Sequence, residues 1–246
     1  MKVRKIDINS DLGEGYGNDA DIMPFISSCN IACGGHFGTR QTIKETIDLA
    51  IQNQVKIGAH PSYPDKYHFG RKRMDIPFNE LLNSLIEQIE IVKGMANQKN
   101  QALHHIKLHG ALYLESLTNW ELSENIAILI ETHFPECTLY APYMSKMADA
   151  AIKRNLKLKY EVFADRKYLV DLTLVDRKHP FAILTDPAEI MEHVMLMVEN
   201  KKVKTLEGKL VPIVADTLCI HGDHPKAISI AKALFKLLSE KKHLIK

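Results

Sequence analysis

Residues 5–11 read Lys5-Ile6-Asp7-Ile8-Asn9-Ser10-Asp11, and residues 105–109 read His105-Ile106-Lys107-Leu108-His109. Both alternate with the period of two that marks a β-strand. Asp7, Asn9 and Asp11 oppose Ile6 and Ile8; His105, Lys107 and His109 oppose Ile106 and Leu108. Three further runs repeat the pattern. Residues 161–165 set Glu161 and Asp165 against Val162 and Ala164, and residues 217–221 set Thr217, Cys219 and His221 against Leu218 and Ile220. Residues 57–60 end in His60 after small residues. A strand of a parallel sheet is covered on both sides and is ordinarily apolar on both. A face of His, Asp, Asn and Lys therefore predicts an enclosed polar pocket, since buried polar groups without partners are costly and cluster at functional sites. The chain reads as an enzyme.

Between these runs the apolar spacing becomes helical. Residues 78–98 place Leu81, Leu82, Leu85, Ile86, Ile89 and Val92 on one stripe. Residues 39–54 carry Ile43, Ile47, Ala50 and Ile51, with Thr42 and Glu45 at capping-box spacing. Residues 122–133 and 144–154 continue the pattern. Asp186-Pro187 reads as N-cap and first helical residue before 188–200, and Pro225 opens a last helix over 226–239. Strands near Lys5, Cys29, Lys56, His105, Thr138, Lys159 and Thr217 alternate with these helices, the signature of βα units and a parallel sheet. Residues 168–177 and 203–213, the latter with Glu207-Gly208 as a hairpin turn, read as an insertion and not a second domain. The expectation is an α/β fold: one distorted, seven-stranded β/α barrel over residues 1–246. An open doubly wound sheet is the alternative, because closure leaves no mark on a sequence. In both, ligands bind at the carboxyl ends of the strands, where the polar clusters fall.

With 246 residues, 46% of them hydrophobic, the chain can bury a sizeable core. A net charge of +2 gives no basic footprint for nucleic acid. No run approaches the roughly 18 apolar residues of a membrane span, and Asp7 interrupts the basic start before any secretory apolar region. Lys236, Lys241, Lys242 and Lys246 read as the solvated side of a terminal helix. Cys29, Cys33, Cys137 and Cys219 make neither CxxC nor a dense framework, which suits a reducing cytoplasm. Cys33 and Cys219 read as small buried thiols in preference to nucleophiles.

The loops after the strands carry the chemistry. Asp11-Leu-Gly-Glu-Gly-Tyr-Gly17 joins Asp11 and Glu14 in a glycine-rich loop that is neither GxxxxGK[ST] nor GxGxxG. His36 stands among glycines that let backbone approach a ligand. His60 precedes a proline-stiffened loop, and Phe69-Gly-Arg-Lys-Arg73 offers Arg71 and Arg73 as carboxylate anchors. An inward lysine must be paired or have a depressed pKa, which makes Lys107 a candidate to polarise a carbonyl. His109, two residues on, is a general acid/base candidate. Asp165 and Arg166 follow the sixth strand as site residues or an adjacent ion pair; His221 and Asp223 follow the last, where Asp223 also fits a helix N-cap. Such a set also suits a divalent metal, with Asp11, His36 and His60 the first ligands to test, although no short-spaced ligand motif accompanies them. No GxSxG elbow supports a serine triad.

Six segments together resemble the LamB/YcsF family, which comprises the A subunits of bacterial 5-oxoprolinase. They are Ile8-Asn-Ser-Asp-Leu-Gly-Glu-Gly15, Asn30-Ile-Ala-Cys-Gly-Gly-His36, Ile57-Gly-Ala-His-Pro-Ser-Tyr-Pro-Asp65 with Phe69-Gly-Arg71, Lys107-Leu-His-Gly-Ala-Leu-Tyr113, Glu161-Val-Phe-Ala-Asp-Arg-Lys-Tyr168, and Ala215-Asp-Thr-Leu-Cys-Ile-His-Gly-Asp223. They keep the family order from about Ile6 to Ala233.

The resemblance implies a glycoside hydrolase/deacetylase-like barrel and ATP-dependent opening of the lactam 5-oxoproline to glutamate, with two partner subunits, in the cytoplasm. It implies catalytic roles for Asp11, His60, Lys107, His109 and Asp165, and substrate binding by Asn9, Glu14, His36, Glu161, Arg166, His221 and Asp223. ATP is the expected cofactor, handled largely by a partner because this chain has no phosphate-binding lysine loop. The chain departs from the family at residues 35–40 (Gly-His-Phe-Gly-Thr-Arg for Phe-His-Ala-Gly-Asp-Pro), at Leu108 for proline, at Leu114 for asparagine and at Leu172 for glycine. Two other readings are a stand-alone metal-dependent amidase or deacetylase, and a substrate-binding subunit without chemistry of its own.

Overall fold

The computed structural model describes residues 5–245; the first four residues of the basic start, and Lys246, lie outside the described residues. Six strands pair in sequence order, all parallel: β1 (Asp7–Leu12), β2 (Ser28–Ala32), β3 (Lys56–His60), β4 (His105–Lys107), β5 (Thr138–Pro142) and β6 (Leu158–Phe163). The short strands β7 (Lys202–Lys204) and β8 (Leu210–Pro212) form a separate antiparallel hairpin, as the Glu207-Gly208 turn predicts. β9 (Thr217–His221) then pairs in parallel with both β6 and β1 and closes the barrel. Closure removes the open-sheet alternative.

Helices α1 (Asp19–Ile22), α2 (Arg40–Gln52), α3 (Phe78–Asn97), α4 (Gly110–Glu115), α5 (Trp120–His133), α6 (Lys146–Lys153), α7 (Pro187–Asn200) and α8 (Ala227–Glu240) complete the described elements, with one 3₁₀ turn at Met23–Phe25. None is long and apolar enough to cross a membrane. The stripe on α3 buries Leu81, Leu85, Ile89 and Val92. Asp186 caps α7 by accepting from the Ala188 amide, with Pro187 at the first helical position. Lys236, Lys241 and Lys242 are exposed on and after α8.

Three local expectations are corrected. The capping box of α2 lies one turn earlier than Thr42/Glu45. Thr39 is the cap, its Oγ1 accepting from the Thr42 amide at 3.2 Å while Thr42 Oγ1 accepts from the Thr39 amide at 2.9 Å. The fourth and sixth strands stop short, at Lys107 and Phe163, so His109 and Asp165 stand in the loops beyond. Asp223 is no helix cap: α8 begins after Lys226, and the Asp223 carboxylate pairs with two arginines.

The strands carry their apolar side outward. Ile8, Ile31, Ala59, Ile106, Leu139, Val162 and Leu218 are fully buried in the core cluster beneath the helices. The inward side is a hydrogen-bonded polar column. At its foot Asp7 accepts from Ser28, Thr217, Tyr140 and Lys159, at 3.0, 2.6, 3.1 and 2.7 Å. One level up, Asn30 donates both amide hydrogens, to Asn9 and Asp11, at 2.7 Å each. Its oxygen then accepts from His105 Nε2 at 2.7 Å. Burial drives the His105 pKa well below its usual value, so the ring is neutral. Gly58 makes this crossing possible: a Cβ there would stand 2.1 Å from His105 Nε2.

Candidate active site

Above the column, at the carboxyl ends of the strands, lies a cavity of about 700 Å³. Its floor is Lys107. The ammonium sits 2.8 Å from Asp11 Oδ1, 2.9 Å from Glu161 Oε1 and 3.0 Å from Cys219 Sγ, and is 2% exposed. Burial opposes its charge, but the Asp11 carboxylate first, with Glu161, outweighs burial and holds the pKa well above its usual value. Of the two expectations for an inward lysine, pairing is the one realised, and Lys107 is a cation. Asp11 is the counterpart: burial raises its pKa, but His60 and Lys107 outweigh that and keep it an anion. The Cys219 thiol is pushed well up by burial, and that of Cys33 to about 12, so both are inert buried thiols.

On one side of Lys107 the rings of His36 and His109 stack at 3.6 Å, with His60 edge-on to both. Glu14, from the loop after β1, reaches His36 Nε2 at 3.0 Å and His109 Nδ1 at 3.5 Å. Burial and then the Asp11 charge raise the Glu14 pKa to about 7; burial and then His60 lower that of His36 to about 2. The loop after β3 folds over this group. Phe69 takes the left-handed region at φ 57°, uncommon for a side-chain-bearing residue, and so aims its carbonyl at His109 Nε2, 3.0 Å away.

On the other side His221 Nδ1 is held by Asp165, at 2.8 Å and 3.0 Å to its two oxygens. A carboxylate only accepts, so Nδ1 carries the proton and Nε2 is left as a base. The ring lies flat against Phe163 at 5.2 Å. Burial raises the Asp165 pKa, but His221 outweighs it and keeps the carboxylate ionised. This is the arrangement that orients a general base.

At the mouth Asp223 binds Arg71 at 2.7 Å and Arg177 at 2.9 Å. Arg166 is buried, donates through Nη2 to the Val175 carbonyl at 2.6 Å, and leaves Nε without a partner among the described residues. The remaining wall is apolar, built by Leu108, Leu114, Leu117, Leu169, Leu174 and Val175.

The sequence-derived residues thus divide into two shells. Asp11, Glu14, His60, Lys107, His109, Arg166, His221 and Asp223 line the cavity. Asn9, His36, Glu161 and Asp165 stand behind them, against Asn30, Glu14, Lys107 and His221 respectively. Arg71 lines the mouth, whereas Arg73 pairs with Glu115 on the surface. Sequence reasoning missed Arg177, in a segment without periodicity, and Tyr113, whose hydroxyl donates to Glu161 Oε2 at 2.8 Å. It also missed the apolar wall, for which Leu108 and Leu114 were the available signal.

Known proteins share this sequence and architecture. The chain is 38% identical to the A subunit of 5-oxoprolinase from Bacillus cytotoxicus over 94% of each chain. It is 40% identical to the A subunit of 5-oxoprolinase from Thermococcus sibiricus, over 96% of this chain and 94% of that one. The crystal structure of the lactam utilization protein from Thermus thermophilus superposes with a TM-score of 0.91 at 35% identity, over 98% of both chains. An Enterococcus faecalis structure with a TM-score of 0.59 at 12% identity shares the fold alone. The LamB/YcsF family profile matches residues 6–246, and on that match, with these relatives, the chain belongs to the LamB/YcsF family.

Proposed function

We propose that this chain is the A subunit of an ATP-dependent 5-oxoprolinase, opening the lactam of 5-oxo-L-proline to L-glutamate in the cytoplasm with two partner subunits. The relatives' shared name supports the reaction. The observation that carries it on the structural side is the Lys107 ammonium, held as a cation in the same cavity that His221, paired with Asp165, also lines.

A five-membered lactam is a resonance-stabilised amide, and its hydrolysis is slow and not strongly downhill. Transfer of the γ-phosphoryl group of ATP to the amide oxygen makes the ring carbon electrophilic and supplies a leaving group. Water then adds to that carbon, giving its proton to His221 Nε2. The C–N bond breaks as the nitrogen takes a proton, and a second water releases phosphate from the acyl phosphate. One lactam, one ATP and two waters become glutamate, ADP and phosphate. Lys107 stabilises the charge developing on the substrate oxygen, and the ring carboxylate lies against Arg166 and the arginines of the mouth. This chain lacks a phosphate-binding lysine loop, so nucleotide handling falls to a partner.

The test is glutamate release from 5-oxoproline by the chain with and without its partner subunits and ATP. Release that needs all components supports the reading. No release from a verified assembly overturns it.

A further inference from the structure

The cavity is larger and more apolar than a bare lactam ring requires. It holds about 700 Å³, within the roughly 300–1,000 Å³ that accommodates a drug-sized ligand. A five-membered ring with one carboxylate fills a minor part of that space. Its polar atoms, and a phosphoryl group on it, call for Lys107 and the arginines. The leucines of the wall offer those atoms nothing.

The wall comes from two segments. Leu114, on α4, is 50% exposed, and Leu117 follows just beyond that helix. Leu169, Leu174 and Val175 belong to the segment after Arg166, and that segment is fixed. The Tyr168 hydroxyl accepts from the Phe163 amide at 2.8 Å, and the Leu169 amide donates to the Thr173 carbonyl at 2.8 Å. Between them Leu172 takes the left-handed region at φ 66°, with its side chain buried in the core cluster. That conformation disfavours a leucine, and burial of the side chain is what offsets the strain. The wall is therefore preformed, and an apolar group that meets it has no loop to order.

The wall also adjoins the carboxylate anchor. Val175 accepts from Arg166 Nη2 at 2.6 Å, and the buried Arg166 Nε has no protein partner among the described residues, so the guanidinium still calls for an acceptor. With a ring carboxylate on Arg166, the neighbouring ring carbon lies on the Val175 side of the cavity.

We propose that this wall receives an apolar substituent of the lactam, so that the preferred substrate is a 5-oxoproline alkylated at the ring carbon next to the one bearing the carboxylate. The proposal rests on the lactam reading and narrows it. The bonds broken and formed are the same, and the product is the correspondingly alkylated glutamate. The substituent displaces water that the leucines cannot hydrogen-bond, which is where the added affinity arises.

The test is calorimetry on the full chain, comparing 5-oxoproline with the same lactam carrying a propyl group at that carbon. Burial is worth about fourfold in affinity per methylene, so the propyl compound should bind at least about tenfold tighter. Leu114→Asn and Leu174→Asn should each lower that ratio at least about threefold. Leu210→Asn, at an exposed leucine on β8 outside the cavity, should leave it unchanged. A ratio near one in the wild-type chain overturns the proposal, as does a propyl compound that does not bind. So does a ratio that both wall variants, verified as folded, preserve. Glutamate release from unsubstituted 5-oxoproline by the assembled complex is scored separately. Release together with a ratio near one removes the substituent and leaves the oxoprolinase reading standing. A verified assembly that releases no amino acid from either lactam overturns that reading and the proposal with it.

Discussion

Tyr113 and Lys107 are joined through one carboxylate: Glu161 accepts from the tyrosine hydroxyl at 2.8 Å and holds the ammonium at 2.9 Å. Removing either end has different consequences. Lys107→Met leaves Asp11 and Glu161 buried without their shared cation, at a cost of roughly 3–5 kcal/mol. The melting temperature should fall by roughly 10 °C, and lactam turnover in the assembled complex by at least about 100-fold. Tyr113→Phe removes one hydrogen bond to a charged group, worth about 1.5–3 kcal/mol, and should keep turnover within about tenfold. Calorimetry with steady-state assays separates the two; equal losses of turnover would deny Lys107 a distinct role.

Asp165→Asn is close to isosteric, yet the amide nitrogen can turn toward His221 Nδ1 and reverse its tautomer. Turnover should fall by about 10²–10⁴ with a small change in melting temperature. A variant with full turnover and an unaltered pH–rate profile would remove His221 from the role of base.

Asp223 holds Arg71 and Arg177 at the mouth, 2.7 and 2.9 Å away. Arg177→Gln should raise KM for a carboxylated lactam by about tenfold, the cost of one charged contact, while changing kcat little. A lactam without the carboxylate should bind the wild-type and variant proteins alike, and that comparison is the check.

Gly58→Ala places a Cβ 2.1 Å from His105 Nε2 and breaks the Asn30–His105 contact. Overpacking of this kind costs typically about 1–3 kcal/mol, readable as a lower midpoint in denaturant.

His193 on α7 is buried, and burial, then the Lys167 charge, lower its pKa to about 4 against the opposing pull of the Phe163 backbone, Glu189 and Asp165. The unfolded chain, with an ordinary pKa of about 6.5, takes up the proton first. Stability should therefore fall as pH drops from about 6.5 to about 4, by roughly 3 kcal/mol from this residue. His193→Leu should make that limb of the stability–pH curve shallower by this residue's share.

How much of this is legible in the sequence follows from what a period of two encodes. It assigns a face, so Asn9, Lys107 and Glu161 are recognisable as inward. It carries no depth along the barrel axis, so it cannot tell that Asn9 and Glu161 lie behind the cavity lining and Asp11 in it. It also does not mark where a strand yields to a loop, which is why His109 and Asp165 belong to loops. Arg177 and the leucine-rich wall come from segments with neither period, and only tertiary folding brings them to the mouth. Barrel closure depends on β9 pairing with β1 across some 200 residues, a contact no local pattern records.

The polar column beneath Lys107 has a consequence for traffic. Asp7, Asn9, Asn30, His105 and Thr217 fill the lower barrel and are fully buried, so that end is stoppered. Substrate and product share one doorway. On the proposed function, a partner docked over that doorway to hand in an activated lactam would also stand in the path of the departing amino acid, so delivery and release would have to alternate.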